Sequence, residues 1–380
     1  MLLKSCLLDT TKKLSPPFEP SFADKIAFLL RGDAYRPPVR QVARRETHMS
    51  QVFLAGDQVY KLKKPVRFPY LDFSTLARRE SACRAELALN RRLAPDIYLN
   101  VVPLVLSRQG LAIGGEGEVV DWLVVMTRLD DRQMLDCIIR ERRLHRWQLD
   151  RLAAVLIQFY RRAKPIFTSP AMHIAELCRS LAYNRRVLLN CRFQIPSGLV
   201  RYVDAMQRRF LIERGGLLAE RVRRRRIIDG HGDLRPEHIY LGDPVRIIDC
   251  LEFNSRLRMV DPFDEIAFLC LECERLGAAW AGEYLRRRVG RALQDGKSEG
   301  LFLFYRCYRA TLRARLSVAH LLEPEPHTPD KWMPLACSYL RLAAADAVRL
   351  ERSLRKPRGR SVYHRHESGG CTLPEATQPR

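Results

Sequence analysis

Along the first third of the chain, apolar and polar positions alternate every second residue. Beyond about residue 130 they recur mostly with the 3.6-residue period of helices. Two alternating runs, Ser50-Gln-Val-Phe-Leu-Ala and Gln58-Val-Tyr-Lys-Leu-Lys, are separated only by Gly56-Asp57, which predicts a tight β-hairpin. Further strand-like runs cover 97–106 and 119–126, and a short helix is predicted over 23–31. Ser74 is the predicted N-cap of a helix that runs to about Leu93 and is stopped by Pro95. In the second part, residues 147–162 place Leu149, Leu152, Ala153, Leu156, Ile157 and Tyr160 on one helical face. A long helix is predicted over 199–221, and helical patterning fills 262–352. The period breaks between 227 and 250, where Ile239-Tyr-Leu and Val245-Arg-Ile-Ile flank Gly242-Asp243-Pro244 as two short strands. The pattern predicts an α+β fold of two lobes: a small β-rich N-lobe with one main helix (23–129) and a larger helical C-lobe (130–352). Residues 1–22 read as irregular, and the polar, aperiodic stretch 353–380 as a disordered tail.

Composition narrows the class. At 47% hydrophobic the chain of 380 residues has the material for a sizeable core. No uncharged apolar run approaches the ~18 residues of a membrane helix. Lys4 and Asp9 break the N-terminal apolar stretch too early for a signal peptide, so a soluble cytoplasmic protein without a membrane partner is expected. The 11 cysteines lack framework spacing. Their one close pair, Cys270 and Cys273, lies in a helical apolar pattern with no further metal motif, and reads as reduced core thiols. The formal charge is +23, carried by 55 Arg and 11 Lys against 43 acidic residues. Such a surplus suits a polyanion partner. The arginines are scattered, however, and not interleaved with exposed aromatics, so nucleic acid is not the expected partner. The run Arg221-Val-Arg-Arg-Arg-Arg226 reads as a helix C-terminus, where cations suit the dipole, in preference to a polyanion grip.

The stretch His231-Gly-Asp-Leu-Arg-Pro-Glu-His238, followed by Val245-Arg-Ile-Ile-Asp249, carries the chemistry. Phosphoryl transfer needs a carboxylate to orient an acceptor hydroxyl, a second carboxylate to hold Mg²⁺, and positive charge on the phosphates. Asp233 on a tight loop, a further ligand at position 238 and Asp249 after a short strand supply the first two.

Here the sequence resembles the protein-kinase catalytic loop and, more closely, the H-G-D-x-x-x-x-N … I-D pattern of the aminoglycoside phosphotransferase family. The resemblance implies a protein-kinase-like two-lobe fold binding ATP and Mg²⁺, with Asp233 and Arg235 as catalytic residues and Asp249 and His238 at the metal. His238 stands where the family has Asn, and a hard cation prefers oxygen. Val59-Tyr-Lys61 matches the strand whose lysine meets the α/β-phosphates, with Lys63 two residues on as the alternative. Its partner glutamate is Glu86 on the following helix, with Glu80 in reserve. Thr47 and Ser50, in a glycine-free Glu46-Thr-His-Met-Ser50, are the candidates for covering the phosphates. Met126 and Arg128 fall at the hinge, where backbone groups pair with adenine. Asp130 or Asp131 could meet the ribose or cap a helix. Glu252 and Asn254 would line the metal site or brace its loop, and Asp261 and Asp264 look structural.

Further blocks, among them Leu71-Asp-Phe-Ser-Thr-Leu, Leu89-Asn-Arg-Arg-Leu-Ala-Pro-Asp-Ile-Tyr-Leu and Asp249-Cys-Leu-Glu-Phe-Asn, look like one bacterial branch. In that branch such a domain is often joined to a C-terminal P-loop ATP-binding domain. The sequence has no G-x-x-x-x-G-K-[ST], so that second domain is expected to be missing. The implied function is transfer of the ATP γ-phosphate to a hydroxyl of a small molecule. Aminoglycosides are polycations that a +23 chain repels, so a different acceptor is expected, with an anionic one as the candidate. Tyr305, Arg309 and Arg313, spaced on one helical face, are the candidate cationic surface for it. The rival readings are a nucleotide-binding pseudokinase with a regulatory role, drawn from His238 and the missing glycines, and a polyanion-binding protein, drawn from charge alone.

Overall fold

The computed structural model describes residues 20–68, 70–295, 298–322 and 328–355. Most of the expected irregular segment 1–22 and of the tail 353–380 lies outside the described residues. Of their inner ends, Phe22 opens the first helix and Ser353, Leu354 and Arg355 close the last one, which extends past its expected end at 352.

The N-lobe begins with α1 (Phe22–Leu29), capped by Ser21, whose hydroxyl accepts from the Asp24 amide. There follow β1 (Val42–Glu46), β2 (Ser50–Ala55), β3 (Gln58–Lys63), β4 (Arg67–Phe68), β5 (Leu71–Asp72), α2 (Leu76–Asn90), β6 (Tyr98–Ser107), β7 (Gly110–Ile113) and β8 (Glu118–Thr127). Six strands form one antiparallel sheet in the order β1-β2-β3-β8-β6-β7. The expected hairpin is β2–β3, closed where Ala55 pairs with Gln58 and Gly56 takes φ +61°, a conformation costly for any residue with a Cβ. One sheet face packs Phe53, Tyr60, Leu62 and Leu123 under α1, and the other sets Val124 and Tyr98 against Cys83 of α2. Because side chains alternate along a strand, Lys61 and Lys63 of β3 both fall on the α2 side. That helix starts one residue later than expected. Thr75 caps it, accepting from the Arg78 amide at 3.3 Å, while the Ser74 hydroxyl turns back to Asp72 at 2.6 Å. Strand β1 has no sequence signature because it is a largely exposed, Arg-rich edge joined to β2 by backbone pairing.

The C-lobe comprises α3 (Leu135–Arg140), α4 (Arg146–Arg162), α5 (Pro170–Leu188), α6 (Ser197–Arg223), β9 (Ile228–Asp229), β10 (Ile239–Tyr240), β11 (Arg246–Ile247), β12 (Met259–Val260), α7 (Pro262–Arg275), α8 (Ala279–Ala292), α9 (Glu299–Ala319) and α10 (Pro329–Arg355). The predicted short strands are the β10–β11 hairpin, and β9 pairs with β12. Helix α7 is buried from Pro262 through Cys273 and forms the axis of the lobe. Cys270 and Cys273 belong to that core, and the Cys270 thiol donates to the Gly282 carbonyl at 3.0 Å. Among the described residues no helix is long and apolar enough to cross a membrane.

Candidate active site

The loop 230–238 is fixed from below by α7. Glu265, fully buried, accepts from the backbone amides of His231 at 2.9 Å and Gly232 at 2.5 Å. Burial pushes its carboxyl up to about 7 against those hydrogen bonds. Gly232 sits at φ +87°, where a Cβ would lie 3.0 Å from the Leu257 carbonyl. His231 is buried and its pKa is pushed down to about 4, chiefly by desolvation, so it is neutral. Its Nε2 lies 2.9 Å from the Ile248 carbonyl and its Nδ1 3.3 Å from the Asp233 amide. The ring therefore donates at one nitrogen, accepts at the other, and joins the loop to the strand that leads into Asp249.

Asp233 and Asp249 converge on either side of one imidazole. His238 Nδ1 lies 3.8 Å from Asp233 Oδ2, and its Nε2 lies 3.5 Å from Asp249 Oδ2. Asp233 accepts from Arg235 Nε at 3.0 Å. Burial raises its pKa, but Arg235, then His238 and Arg313, outweigh that and push it down to about 2. Asp249 adopts φ +62°, donates its amide to the Tyr98 hydroxyl at 3.1 Å and keeps a side chain 47% exposed to the cleft. The Lys61 ammonium, 3.0 Å from Oδ1, holds its pKa far below the usual carboxylate range. Next along, the Cys250 amide donates to Asn90 Oδ1 of α2 at 2.9 Å.

Both candidate lysines reach the same glutamate. Glu86 of α2 accepts from Lys61 at 2.8 Å through Oε1 and from Lys63 at 2.6 Å through Oε2. The two ammonium groups hold its pKa down against burial. Lys63, with a side chain 0% exposed, also reaches Glu252 at 2.5 Å, and the pKa of Glu252 is raised by burial. Glu80 lies on the surface beside Arg84 at 2.8 Å and takes no part.

Between the lobes lies a cavity of about 440 Å³ with apolar walls from Val52, Val59, Ile97, Met126 and Ile248. Met126 and Arg128 both border it. Two backbone amides there are already engaged, that of Thr127 by the Ile97 carbonyl and that of Arg128 by the Asp57 carbonyl, each at 2.8 Å. Of the ribose candidates, Asp131 borders the cavity and pairs with Arg45 at 2.5 Å, whereas Asp130 pairs with Arg132. Thr47 and Ser50 close the β1–β2 turn on themselves: the Ser50 amide donates to Thr47 Oγ1 at 2.9 Å, and that hydroxyl donates to the Ser50 carbonyl at 3.1 Å.

Comparison with solved structures finds the same two-lobe architecture in small-molecule kinases. A choline/ethanolamine kinase family protein from Mesorhizobium loti superimposes with a TM-score of 0.51 at 17% identity, covering 82% of this chain and 90% of that one. A thermostable mutant of the aminoglycoside phosphotransferase APH(4)-Ia gives 0.50 at 13% identity, over 85% of this chain and 98% of that one. A choline kinase from Cryptosporidium parvum gives 0.50 at 11% identity, over 83% and 91%. The fold is that of the protein-kinase-like phosphotransferases. No family model matches the chain. Uncharacterized proteins of Mycobacterium tuberculosis and Mycobacterium bovis are 34% identical over 311 residues, which cover 80% of this chain; the chain spans only 57% of their length.

Within this kinase-like fold, the geometry bears on three expectations. Arg235 is turned onto Asp233 at 3.0 Å and onto His238 (Nη2 to Nε2, 3.1 Å). The face Tyr305–Arg309–Arg313 is mostly interior. Tyr305 donates to Asp261 at 3.1 Å, and Arg309 forks onto Asp264 at 2.8 and 2.6 Å, because α9 packs that face against α7. Asp261 and Asp264 are thus structural, as expected, and Asp261 also receives Arg221 at 2.5 Å. Asn254 caps a short turn through the Arg256 amide at 3.0 Å.

The third concerns the expected metal. A hard cation takes oxygen donors, and Mg²⁺ is commonly held by one or two carboxylates with phosphates and water completing the shell. Asp249, ionised and half-exposed, fits that role. His238 does not in this arrangement. Its Nδ1 lies 2.9 Å from the Asp233 carbonyl, and its Nε2 is engaged 3.1 Å from Arg235 Nη2. Among the described residues no group of three His, Cys, Asp or Glu could hold a metal unaided.

Proposed function

We propose that the protein is an ATP-dependent phosphotransferase that moves the γ-phosphate to a hydroxyl of a small molecule other than an aminoglycoside. The observation that carries this reading is the convergence of Asp233 and Asp249 at the lobe boundary, with Lys61 already paired to Glu86. Lys61 would contact the α/β-phosphates and Asp249 would hold Mg²⁺, which when bound neutralises charge on the phosphates. The cavity walls offer an apolar slot for a planar base. Asp233 orients the acceptor hydroxyl by accepting its hydrogen bond. The acceptor oxygen then bonds to phosphorus as the bridging P–O bond breaks. With its pKa near 2, Asp233 takes the proton only late, once that oxygen has become acidic.

The test is ADP release with Mg·ATP across a panel of hydroxylated metabolites, run beside Asp233→Asn. Transfer is expected to vanish in the variant while nucleotide affinity stays within about twofold. Undiminished turnover would remove Asp233 from the mechanism. One observation favours a second reading. The imidazole at position 238, bonded to Arg235, stands where the family places a metal-binding Asn, which suits a regulatory module that binds nucleotide without transferring phosphate. Mg²⁺-dependent ATP binding with no transfer to any panel member would select it.

A further inference from the structure

Two further cavities border α4 and share no lining residue with the cavity between the lobes. One, of about 560 Å³, lies between α4 and α8; the other, of about 500 Å³, lies where α4 meets β11 and the turn after α2. Gln158 and Arg162 line both, so the two form one groove along α4. Together the linings carry seven cations and two carboxylates. Three of the cations are paired: Arg288 with Asp150 at 3.0 Å, Arg92 with Asp229 at 3.1 Å, and Arg246 with Asp96, which lies outside the lining. Arg161, Arg162, Lys164 and Arg291 remain, all exposed, with no carboxylate in ion-pair reach among the described residues. Arg161 donates to the Ala292 carbonyl at the end of α8 at 2.9 Å, and Arg162 meets the Gln158 side-chain oxygen at 3.1 Å. Asp295, four residues beyond Arg291, is held by Arg221 at 2.5 Å. An excess of four cations therefore survives the count of every acid paired with the lining.

An aromatic ring stands in solvent at the end of this groove. Phe167, three residues after Lys164, is 83% exposed, and the Arg225 guanidinium lies 5.2 Å from its ring centre. The next residue, Arg226, reaches the Leu293 carbonyl at 3.3 Å, beside the Ala292 carbonyl that takes Arg161. Along the sequence the arginines are not interleaved with aromatics; folding sets Phe167, from the loop after α4, against Arg225, from the turn after α6. A cationic groove can follow a phosphate backbone, and an exposed ring among guanidiniums can stack on a base. An acidic peptide would engage the cations and leave the ring unused.

We propose that this groove binds single-stranded nucleic acid, with the four unpaired cations on phosphates and Phe167 against a base. The site is separate from the proposed phosphotransferase centre and does not depend on it. The test is fluorescence anisotropy of the full chain with a fluorescein-labelled oligouridine of about 12 nucleotides, titrated at salt concentrations from about 50 to 200 mM. Four phosphate contacts on a single strand predict a log–log salt slope of about −3, which is roughly a fiftyfold loss across that range. Arg162→Ala combined with Arg291→Ala should flatten the slope by about 1.4. Phe167→Ala should weaken binding about fivefold or more at an unchanged slope. Arg44→Ala combined with Arg108→Ala, both exposed on the N-lobe, removes the same charge and should change neither. All the substituted side chains are exposed, so each variant should keep the wild-type circular dichroism and unfolding midpoint. Absence of binding, an unchanged slope in the α4–α8 variant, equal flattening by the N-lobe pair, or an unchanged Phe167→Ala overturns the inference. Polyglutamate of the same length binding as tightly as the oligonucleotide also overturns it, and selects an acidic protein partner instead.

Discussion

Lys63→Met isolates the least expected part of the network. The lysine is wholly enclosed, 2.6 Å from Glu86 and 2.5 Å from Glu252, with its ammonium 4.9 Å from the centre of the Phe73 ring. Methionine is unbranched and of similar length, so little cavity should open. The electrostatics change more. Glu86 keeps Lys61, but Glu252 loses its one hydrogen-bonded cation among the described residues. Breaking a buried pair from one side costs about 3–5 kcal/mol. The sign with pH follows from Glu252, whose folded pKa is raised above its ordinary 4.5 by burial even beside Lys63, and rises further without it. Such a group binds its proton more tightly when folded. Its neutral form is tolerated below the unfolded value, and stability is lost as pH rises through the folded one. Guanidinium unfolding followed by circular dichroism should therefore show a small loss at pH 5 and the full loss at pH 8, and adding Glu252→Gln should restore most of it. A loss that is constant with pH and untouched by the second substitution would place the cost in packing and refute the ion-pair reasoning.

Other perturbations separate fold from chemistry. Glu265, raised by burial to about 7 from 4.5, should subtract on the order of 3 kcal/mol from stability as pH climbs from 4.5 past 7, and Glu265→Gln should flatten that part of the stability profile. Thr75→Ala should cost about 1 kcal/mol in denaturant unfolding and Ser74→Ala markedly less, because only the threonine accepts from the α2 amide. Asp249→Asn should remove the Mg²⁺-dependent part of nucleotide affinity and leave the metal-free part, read by titration with and without chelator.

The parts of the molecule that were legible in the sequence are those that local pattern or motif spacing determines. Alternation revealed β2–β3 and β10–β11, period 3.6 revealed α4 and α6, and motif spacing brought Asp233 and Asp249 to one place. What stayed hidden depends on distant partners. The period put Tyr305, Arg309 and Arg313 on one face but could not tell that α7 would cover most of it with acids. Strand spacing puts Lys61 and Lys63 on one face and leaves open which meets the phosphates; that both reach Glu86 depends on where α2 packs. Tyr98 and Asn90 carry no motif, since their part is to bind backbone amides of a loop some 150 residues later, at 3.1 and 2.9 Å. Strand β1 stayed hidden because an edge held by its backbone imposes no alternation on its side chains.

The loop from Asp249 to Glu252 belongs to the C-lobe by sequence, yet Lys61, Lys63, Tyr98 and Asn90 of the N-lobe grip it. Swinging the two halves apart must either tear those bonds or drag Asp249 away from Asp233. On the phosphotransferase reading, a gaping molecule would therefore be chemically disarmed, and a shut one armed, without any separate trigger.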